Sequence, residues 1–295
     1  MTKLAASYAA ARRITRRASS TFYLASLLFE PTIRRDIQVL YAFCRVADDI
    51  ADDPHLIRAM KLQRLAQMRA ALEDGASTPE PAEIWPAVRE IIAHYELPLE
   101  QLREVLEGVS SDIDFRQPKT IAELDRYSYL VAGVVGLLSA RILGVRRAET
   151  FQAAKSLGIA MQYTNIVRDV HHDLTLGRVY IPQSVMKQVG VTPSMLKSEH
   201  TTPEIEAAVR LLADRAEDFY QKSEPGIQAL DKKYQQPVRA ASGLYRSILE
   251  RVKQKQYNVF TGRTRLNRIE KLSLVWSVYQ TPAGTPVVKG HSQKE

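Results

Sequence analysis

Residues 163–182 read YTNIVRDVHHDLTLGRVYIP, and the polar side chains in this stretch repeat with the period of a helix. Asn165, Asp169 and Asp173 recur every four residues, and Gln162 lies three residues before Asn165. Side chains three or four residues apart share a helix face, so a single polar stripe is predicted. Two carboxylates about 4 Å apart repel by about 4 kcal/mol at an effective dielectric of about 20. The stripe is therefore either a solvated acidic surface or a cation site.

The chemistry of this stripe favours one kind of cation. Its donors are carboxylate and amide oxygens, with no histidine or cysteine in line with them. Such oxygens suit Mg²⁺ better than Zn²⁺, which usually takes nitrogen and sulfur ligands. If the stripe holds a cation, Asn165, Asp169 and Asp173 would be its ligands and Mg²⁺, or Mn²⁺ as an alternative, would be the ion.

A second acidic stripe lies upstream, in residues 39–53, VLYAFCRVADDIADD. Tyr41, Arg45, Asp48 and Asp52 lie at i, i+4, i+7 and i+11, and apolar residues fill much of the opposite face. Mg²⁺ prefers a few carboxylates plus substrate phosphates to a cage made only of protein. Two acidic stripes facing one cavity would therefore bind a diphosphate through bridging metal ions.

Composition indicates one globular domain. The chain has 295 residues, 45% of them hydrophobic, and no linker-like stretch divides it. We expect a single domain over residues 1–280 and a disordered tail over residues 281–295, which are rich in proline, glycine, serine and lysine. The single cysteine, Cys44, excludes an internal disulfide and is typical of a reducing cytosol.

The net charge of +8 indicates anionic partners. Nucleic acid is not expected, because the basic residues are spread along the chain rather than clustered with aromatic residues. The pair Arg16–Arg17 is not followed by an apolar export core, so it is interpreted as part of the mature chain. The apolar run at residues 130–140 is too short to span a bilayer, which takes about 20 residues.

Helical periodicity continues along the chain without convincing strand alternation, so an all-α fold is predicted. Thr32 is expected to cap the first acidic helix, and residues 75–86 are expected to form a surface loop. Further helices are expected at residues 121–144, 203–222, 237–260 and 263–280.

The helix expected at residues 121–144 carries small residues on one face. Tyr129, Gly133, Gly136 and Ala140 share that face. Two interpretations stay open: close packing against another helix, or the wall of a long apolar channel.

Three segments together resemble the squalene/phytoene synthases. They are residues 41–53 (YAFCRVADDIADD), residues 111–144 (SDIDFRQPKTIAELDRYSYLVAGVVGLLSARILG) and residues 157–182 (LGIAMQYTNIVRDVHHDLTLGRVYIP). The resemblance extends from residue 19 to about residue 274. It implies the isoprenoid synthase fold, a single helical bundle around a central apolar channel.

The resemblance also implies roles for individual residues. Asp48, Asp52, Asp169 and Asp173 match the aspartates that hold Mg²⁺ on substrate diphosphate, and with Tyr129 they form the expected catalytic set. The expected substrate-binding residues are Tyr41, Arg45, Gln162, Asn165, Arg168, Arg178 and Tyr245. Asp112 matches a family aspartate, but the residues before it, Gly108-Val-Ser-Ser, depart from the family pattern.

The implied reaction is a Mg²⁺-dependent prenyl transfer. Two geranylgeranyl diphosphates would condense head to head to phytoene, via prephytoene diphosphate and with release of diphosphate, as in carotenoid biosynthesis. No NADPH is expected for that product. The alternative is condensation of two farnesyl diphosphates to presqualene diphosphate, squalene or dehydrosqualene. A non-catalytic descendant should have lost acidic residues, and a di-iron bundle needs Glu-x-x-His ligands that the stripes lack.

Two further expectations concern chain length and location. Phe22 and Ser26 lie one turn apart, and a small residue at position 26 would leave room in the channel for a longer prenyl chain. The substrate has an apolar tail and no segment is expected to span a membrane. We therefore expect a cytoplasmic protein that docks peripherally on membrane lipid, helped by its positive charge.

Overall fold

The computed structural model describes residues 2–73, 79–198 and 200–280, and the regular secondary structure in this part of the chain is entirely helical, without strands. The all-α prediction is confirmed. The helices are α1 Lys3–Ala18, α2 Ser20–Ser26, α3 Pro31–Asp52, α4 Arg58–Glu73, α5 Trp85–His94, α6 Leu99–Ser111, α7 Ile121–Ser128, α8 Val134–Ile142, α9 Ala148–Thr175, α10 Gln183–Val189, α11 Pro193–Lys197, α12 Pro203–Gln228, α13 Lys232–Gln254 and α14 Arg268–Gln280.

The two acidic stripes lie on the long helices α3 and α9. Helix α9 is central, because α12, α8 and α13 all pack against it. Its apolar residues, such as Tyr163 and Val167, are fully buried, and this orients the acidic stripe away from the core. Helix α3 buries Leu40 and Phe43 in a second cluster with α1, α5 and α6.

Several of the expected boundaries are wrong, among them those of α12, which extends past residue 222 to Gln228, and of α13, which spans Lys232–Gln254. Helix α3 begins at Pro31 with Glu30 as its N-cap residue, so Thr32 lies inside the helix. Proline suits the first helical position because its φ is already helical and it has no N–H to leave unpaired. Of the expected surface loop at residues 75–86, positions 75–78 lie outside the described residues, but Ile84 and Trp85 are fully buried.

The helix expected at residues 121–144 consists of three pieces. Helix α7 ends at Ser128, a π-helical turn spans Tyr129–Gly133, and α8 follows. A π-helical turn adds a residue to the helical period, and such turns are frequent at functional sites. It shifts the register of the small-residue face between Tyr129 and Gly136.

Helices α8 and α9 run antiparallel and touch through their glycines. A Cβ atom on Gly136 would lie 2.2 Å from the carbonyl oxygen of Ala154, and one on Gly158 would lie 2.2 Å from that of Ala132. Close packing therefore accounts for the small residues here. Gly136 also lines a large cavity, so both interpretations of the small-residue face hold at this position.

The C-terminal part of the chain folds back over this cavity. Residues 261–267 are not helical, although Thr264 and Leu266 within them are buried, and α14 starts only at Arg268. The expected disordered tail at residues 281–295 lies outside the described residues. In the described part of the chain, no helix is long and apolar enough to cross a membrane.

Candidate active site

One cavity of about 960 Å³ runs through the bundle, at the large end of the range for small-molecule sites. One portion of its wall is apolar and includes Val135, Leu157 and Ile227. The other portion is cationic. The described residues that line it with positive charge are Arg16, Arg17, Arg45, Arg168, Arg263, Arg265, Arg268 and Lys271, and the one carboxylate among the described lining residues is Asp48. The cavity therefore suits a ligand with an anionic head and an apolar tail.

The stripe on α3 contributes three of its four predicted residues to this cavity. Tyr41, Arg45 and Asp48 line the wall, and Phe22 of α2 stacks on Tyr41 with ring centroids 4.3 Å apart. Arg45 forms an ion pair with Asp49, one turn along the helix. Burial raises the pKa of the Tyr41 phenol, so this hydroxyl stays protonated and able to donate a hydrogen bond.

For two of the four stripe aspartates, burial destabilises the charged form of the carboxylate. Burial raises the pKa of Asp48 to about 7, and Asp52 and Asp112 add to the shift against the opposing effect of Arg45. Burial likewise raises the pKa of Asp173 to about 7, with Asp169 nearby as the next cause. Within the described chain no ion pair joins either carboxylate to a cation. A bound cation would relieve both penalties.

Asp169 is in a different state. Arg168 donates to its two carboxylate oxygens at 2.8 and 2.5 Å, and Arg263 donates to the same oxygens at 2.8 and 2.8 Å. Burial acts to raise the pKa of Asp169, but these two guanidinium groups outweigh it and lower the pKa below its usual value. Asp169 is thus already neutralised by protein cations, whereas Asp48 and Asp173 are not.

The far end of the α3 stripe meets the loop after α9. Arg178 forms an ion pair with Asp52 at 2.8 Å, so the structure brings together residues from two separate predicted motifs. Next to them, Asp112 accepts hydrogen bonds from the hydroxyls of Tyr127 and Tyr180, each at 2.8 Å. Burial raises the pKa of Asp112. Asp112 therefore belongs to the acidic centre despite the unusual residues that precede it.

The amides on α9 and a tyrosine on α13 complete the predicted set. Gln162 and Asn165 line the cavity, and the Asn165 amide donates to the Gln162 side-chain oxygen at 3.3 Å. Tyr245 lines it as well, and the hydroxyl of Ser19 interacts with both Tyr41 and Tyr245. Burial raises the pKa of Tyr245 too, which keeps this phenol neutral.

Six predicted site residues do not line the cavity: Asp52, Asp169, Asp173 and Arg178, which form the adjoining acidic centre, and Tyr129 and Ser26, which point elsewhere. Tyr129 directs its hydroxyl to Glu104 at 3.0 Å, on the side that faces α6. Ser26 is buried behind the wall, where it accepts a hydrogen bond from Gln38 at 2.8 Å and donates one to the carbonyl of Tyr23 at 2.7 Å. The channel-wall role expected for Ser26 is corrected by this geometry.

Sequence reasoning missed much of the cationic wall. Arg16 and Arg17 were assigned no site role, although two adjacent arginines next to Ser19 and Ser20 are a recognisable basic cluster. A helix is expected over residues 263–280, whereas residues 263–267 form a non-helical segment that lines the cavity. The cluster of three arginines between positions 263 and 268 is the one signal for this segment in the sequence.

The donor set fits Mg²⁺ that arrives with a substrate rather than a preformed metal cage. Among the described residues, no group of three or more histidine, cysteine, aspartate or glutamate side chains converges on one point. Mg²⁺ usually keeps water and substrate phosphates as ligands and takes only one or two carboxylates from the protein. Asp48 and Asp173 provide such carboxylates, and Asp112 lies close enough to both to help raise the pKa of each.

Comparison with known proteins identifies the family of this chain. The family model described as squalene/phytoene synthase matches residues 15–270. The chain belongs to the squalene/phytoene synthase family. It is 32% identical to the 15-cis-phytoene synthase of Synechococcus elongatus over 92% of each chain. It is also 32% identical to the chloroplastic phytoene synthase of Daucus carota, over 86% of this chain and 65% of that protein. The chain therefore spans just under two thirds of the length of that plant relative.

A solved structure confirms the fold. A dehydrosqualene synthase in complex with a ligand superposes with a TM-score of 0.85 at 31% identity, covering 93% of this chain and 95% of that one. The isoprenoid synthase fold predicted for this family member is confirmed. The family comprises prenyltransferase-type enzymes that act on prenyl diphosphates.

Proposed function

We propose that this family member is a phytoene synthase, which condenses two geranylgeranyl diphosphates head to head through prephytoene diphosphate. The observation that carries the proposal is the cavity of about 960 Å³ lined by both cationic and apolar residues, with Asp48 of the first acidic stripe and Asn165 of the second on its wall. The phytoene product is favoured over shorter ones because phytoene synthases match this chain over most of its length.

The cationic wall would bind and orient the diphosphates. Asp48, Asp52, Asp169 and Asp173, with Asn165, would hold Mg²⁺, which stabilises negative charge on a leaving diphosphate. Arg168 and Arg263 would exchange the Asp169 carboxylate for phosphate oxygens, because a guanidinium fork matches both groups. This exchange would free Asp169 at the moment that a substrate enters.

The apolar portion would protect the carbocation that remains after diphosphate leaves. A cation in this position reacts with any water that reaches it, so water must be excluded. Val135, Leu157 and Ile227 contribute no polar group there. The neutral phenols of Tyr41 and Tyr245 line the same cavity, where they could donate hydrogen bonds to the departing diphosphate. The geometry gives no support to the catalytic role expected for Tyr129.

The rival function is condensation of two farnesyl diphosphates. It is favoured by the close superposition on a dehydrosqualene synthase. Incubation with each prenyl diphosphate and Mg²⁺, with and without NADPH, followed by mass analysis of the lipid, distinguishes the two. We expect a C40 hydrocarbon with a central conjugated triene that forms without NADPH. A mainly C30 product would refute the phytoene assignment, and loss of activity with a chelator would test the requirement for Mg²⁺.

Peripheral contact with membrane lipid is part of the same proposal. The substrates have charged heads and apolar tails, and the product is wholly apolar, so a bilayer surface is where they would be exchanged. The net charge of +8 supports attraction to anionic lipid.

A further inference from the structure

Helix α14 exposes a stripe of large apolar side chains. Ile269, Leu272, Trp276 and Tyr279 are 78%, 59%, 67% and 44% exposed. They lie at i, i+3, i+7 and i+10, so they share one helix face, and we call this set the α14 stripe. Apolar residues scattered singly on a surface need no explanation, but a contiguous patch marks an interaction site.

The fold does not need this stripe, because α14 is already anchored by another face. Val278 is buried, and Leu274 and Val275 pack against a cluster that contains Leu244 and Ile248. A surface helix normally has one apolar face and one polar face. Helix α14 has an apolar face inside and a second one outside.

The charge around the stripe indicates what covers it. Arg268 and Lys271 lie at the start of α14 and line the cavity together with Arg265 and with Arg16 and Arg17 of α1. The basic residues of two separate segments thus form one cationic rim where the apolar stripe begins. A partner of purely apolar character would leave this rim without a counterpart.

The acidic residue of α14 does not cancel the positive charge of the rim. Glu270 is held by Arg251, with nitrogen–oxygen distances of 3.1 and 2.5 Å. Lys271 donates to the neutral hydroxyl of Ser20 at 2.7 Å and so keeps its charge. Among the described residues, no carboxylate forms an ion pair with this cationic rim. An apolar stripe beside such a rim matches a surface that is anionic outside and apolar beneath.

We propose that the α14 stripe is the face by which this enzyme docks on a bilayer that contains anionic lipid. Tryptophan and tyrosine favour the level of the lipid headgroups, and isoleucine and leucine the acyl region below it. The cationic rim would lie on the phosphate layer. This placement rests on the proposed function in one respect, since it would position the opening of the cavity where prenyl substrates and an apolar product meet the bilayer.

Vesicle flotation tests the stripe without any need for enzyme activity. The probes are vesicles of phosphatidylcholine alone and vesicles in which about a fifth of the lipid is phosphatidylglycerol. Wild-type protein should float with the anionic vesicles, and salt should weaken the binding. The Leu272→Ser/Trp276→Ser variant should lower the partition coefficient at least about tenfold, because two anchoring side chains are lost.

The matched control removes two exposed apolar residues from another surface. Ile57 and Met60, in the segment that joins α3 to α4 and at the start of α4, are 66% and 41% exposed. The Ile57→Ser/Met60→Ser variant should float like the wild type. With substrate supplied in detergent micelles, all three proteins should turn over equally, whereas the α14 variant alone should be slower with substrate held in vesicles.

Several results would overturn the proposal. One is equal flotation of the α14 variant and the wild type, and another is a wild type that binds no vesicles. If a chain that ends at Gln280 floats while the full chain does not, the stripe is covered by residues 281–295. If sedimentation shows a wild-type dimer that the α14 variant converts to a monomer, with flotation unchanged, the stripe binds a second copy of the chain.

Discussion

Asp169 differs from the other residues of its stripe because two guanidinium groups already neutralise its carboxylate. Asp48 occupies the equivalent place on α3 and has no such partner, so burial raises its pKa to about 7. The two aspartates look alike in the sequence. In the free protein the charge of Asp169 stabilises the fold and the charge of Asp48 destabilises it. The arrangement of the arginines causes this difference.

The first prediction compares these two residues. In a chelator at about pH 8, Asp48→Asn should raise the free energy of unfolding by at least about 1 kcal/mol, because it removes a charge that burial destabilises. The folded pKa lies above the unfolded value of about 3.9, so this gain should shrink as pH falls through 7 towards 4. Asp169→Asn should instead lower stability by about 1–3 kcal/mol, because Arg168 and Arg263 lose their anion.

Both variants should lose at least about a hundredfold in turnover if the four aspartates act together on diphosphate. Chemical denaturation and product assays measure the two effects separately. Equal shifts in stability for the two variants would contradict the asymmetry. Normal activity of Asp169→Asn with Mg²⁺ would contradict the metal assignment.

The second prediction concerns chain length at a residue that lines the cavity. Ser139 lines the cavity from α8, beyond Gly136 and near the start of α9. Thr150, at that start, also lines the cavity and lies 18 residues, or about 27 Å of helix, before the phosphate-binding candidate Arg168. Ser139→Phe should fill that remote portion of the cavity and exclude the longer tail. From equimolar substrates, the ratio of C40 to C30 product should fall at least about tenfold.

Two other variants make the second prediction specific. Ser139→Ala should leave the ratio unchanged. Ser26→Phe should destabilise the protein without a shift in the ratio, because Ser26 lies behind the wall and is hydrogen-bonded to Gln38. A ratio that responds to Ser26→Phe but not to Ser139→Phe would restore the interpretation based on sequence alone.

At the scale of helices, the spacing of polar residues predicted which side chains share each acidic stripe. It did not predict all the helix boundaries. The i, i+4 pattern correctly placed Asn165 and Asp169 on one helix, because that pattern depends only on the helical period. The π-helical turn at Tyr129–Gly133 was not predicted, since it is a register shift imposed by packing against α6 and α9. The same shift explains why Tyr129 does not reach the cavity.

The third prediction tests the contact between α8 and α9. Gly136→Ala and Gly158→Ala should each lower the free energy of unfolding by about 1–3 kcal/mol, because the new methyl group would meet a backbone carbonyl at 2.2 Å. Ser139→Ala, on the same helix, should change it by less than about 0.5 kcal/mol. Denaturant titration measures all three. Wild-type stability in both glycine variants would mean that the helices separate at no cost.

For the molecule as a whole, the sequence was sufficient to predict one all-α bundle with two acidic stripes, because helical periodicity and spacing are local properties. The cationic wall was not predictable in the same way. Arg263 meets Asp169 across 94 residues of chain, and nothing in the spacing of either residue signals the other. Residues 261–267 reach the cavity only because Thr264 and Leu266 are buried against the bundle.

The last prediction follows from the balance of charge over the whole cavity. The described residues offer no preformed group of three metal ligands, while seven arginines and a lysine line the wall. Mg²⁺ alone should therefore raise the melting temperature by less than about 1 °C, and inorganic diphosphate alone only modestly. Together they should raise it by several degrees, since a ligand at about 100 times its Kd adds about 2.7 kcal/mol. Asp173→Asn should abolish the joint effect but not the effect of diphosphate alone, because the arginines remain. If Mg²⁺ alone stabilises the wild type as much as the pair does, the protein holds the metal by itself, and the two stripes form a metal centre rather than a diphosphate site.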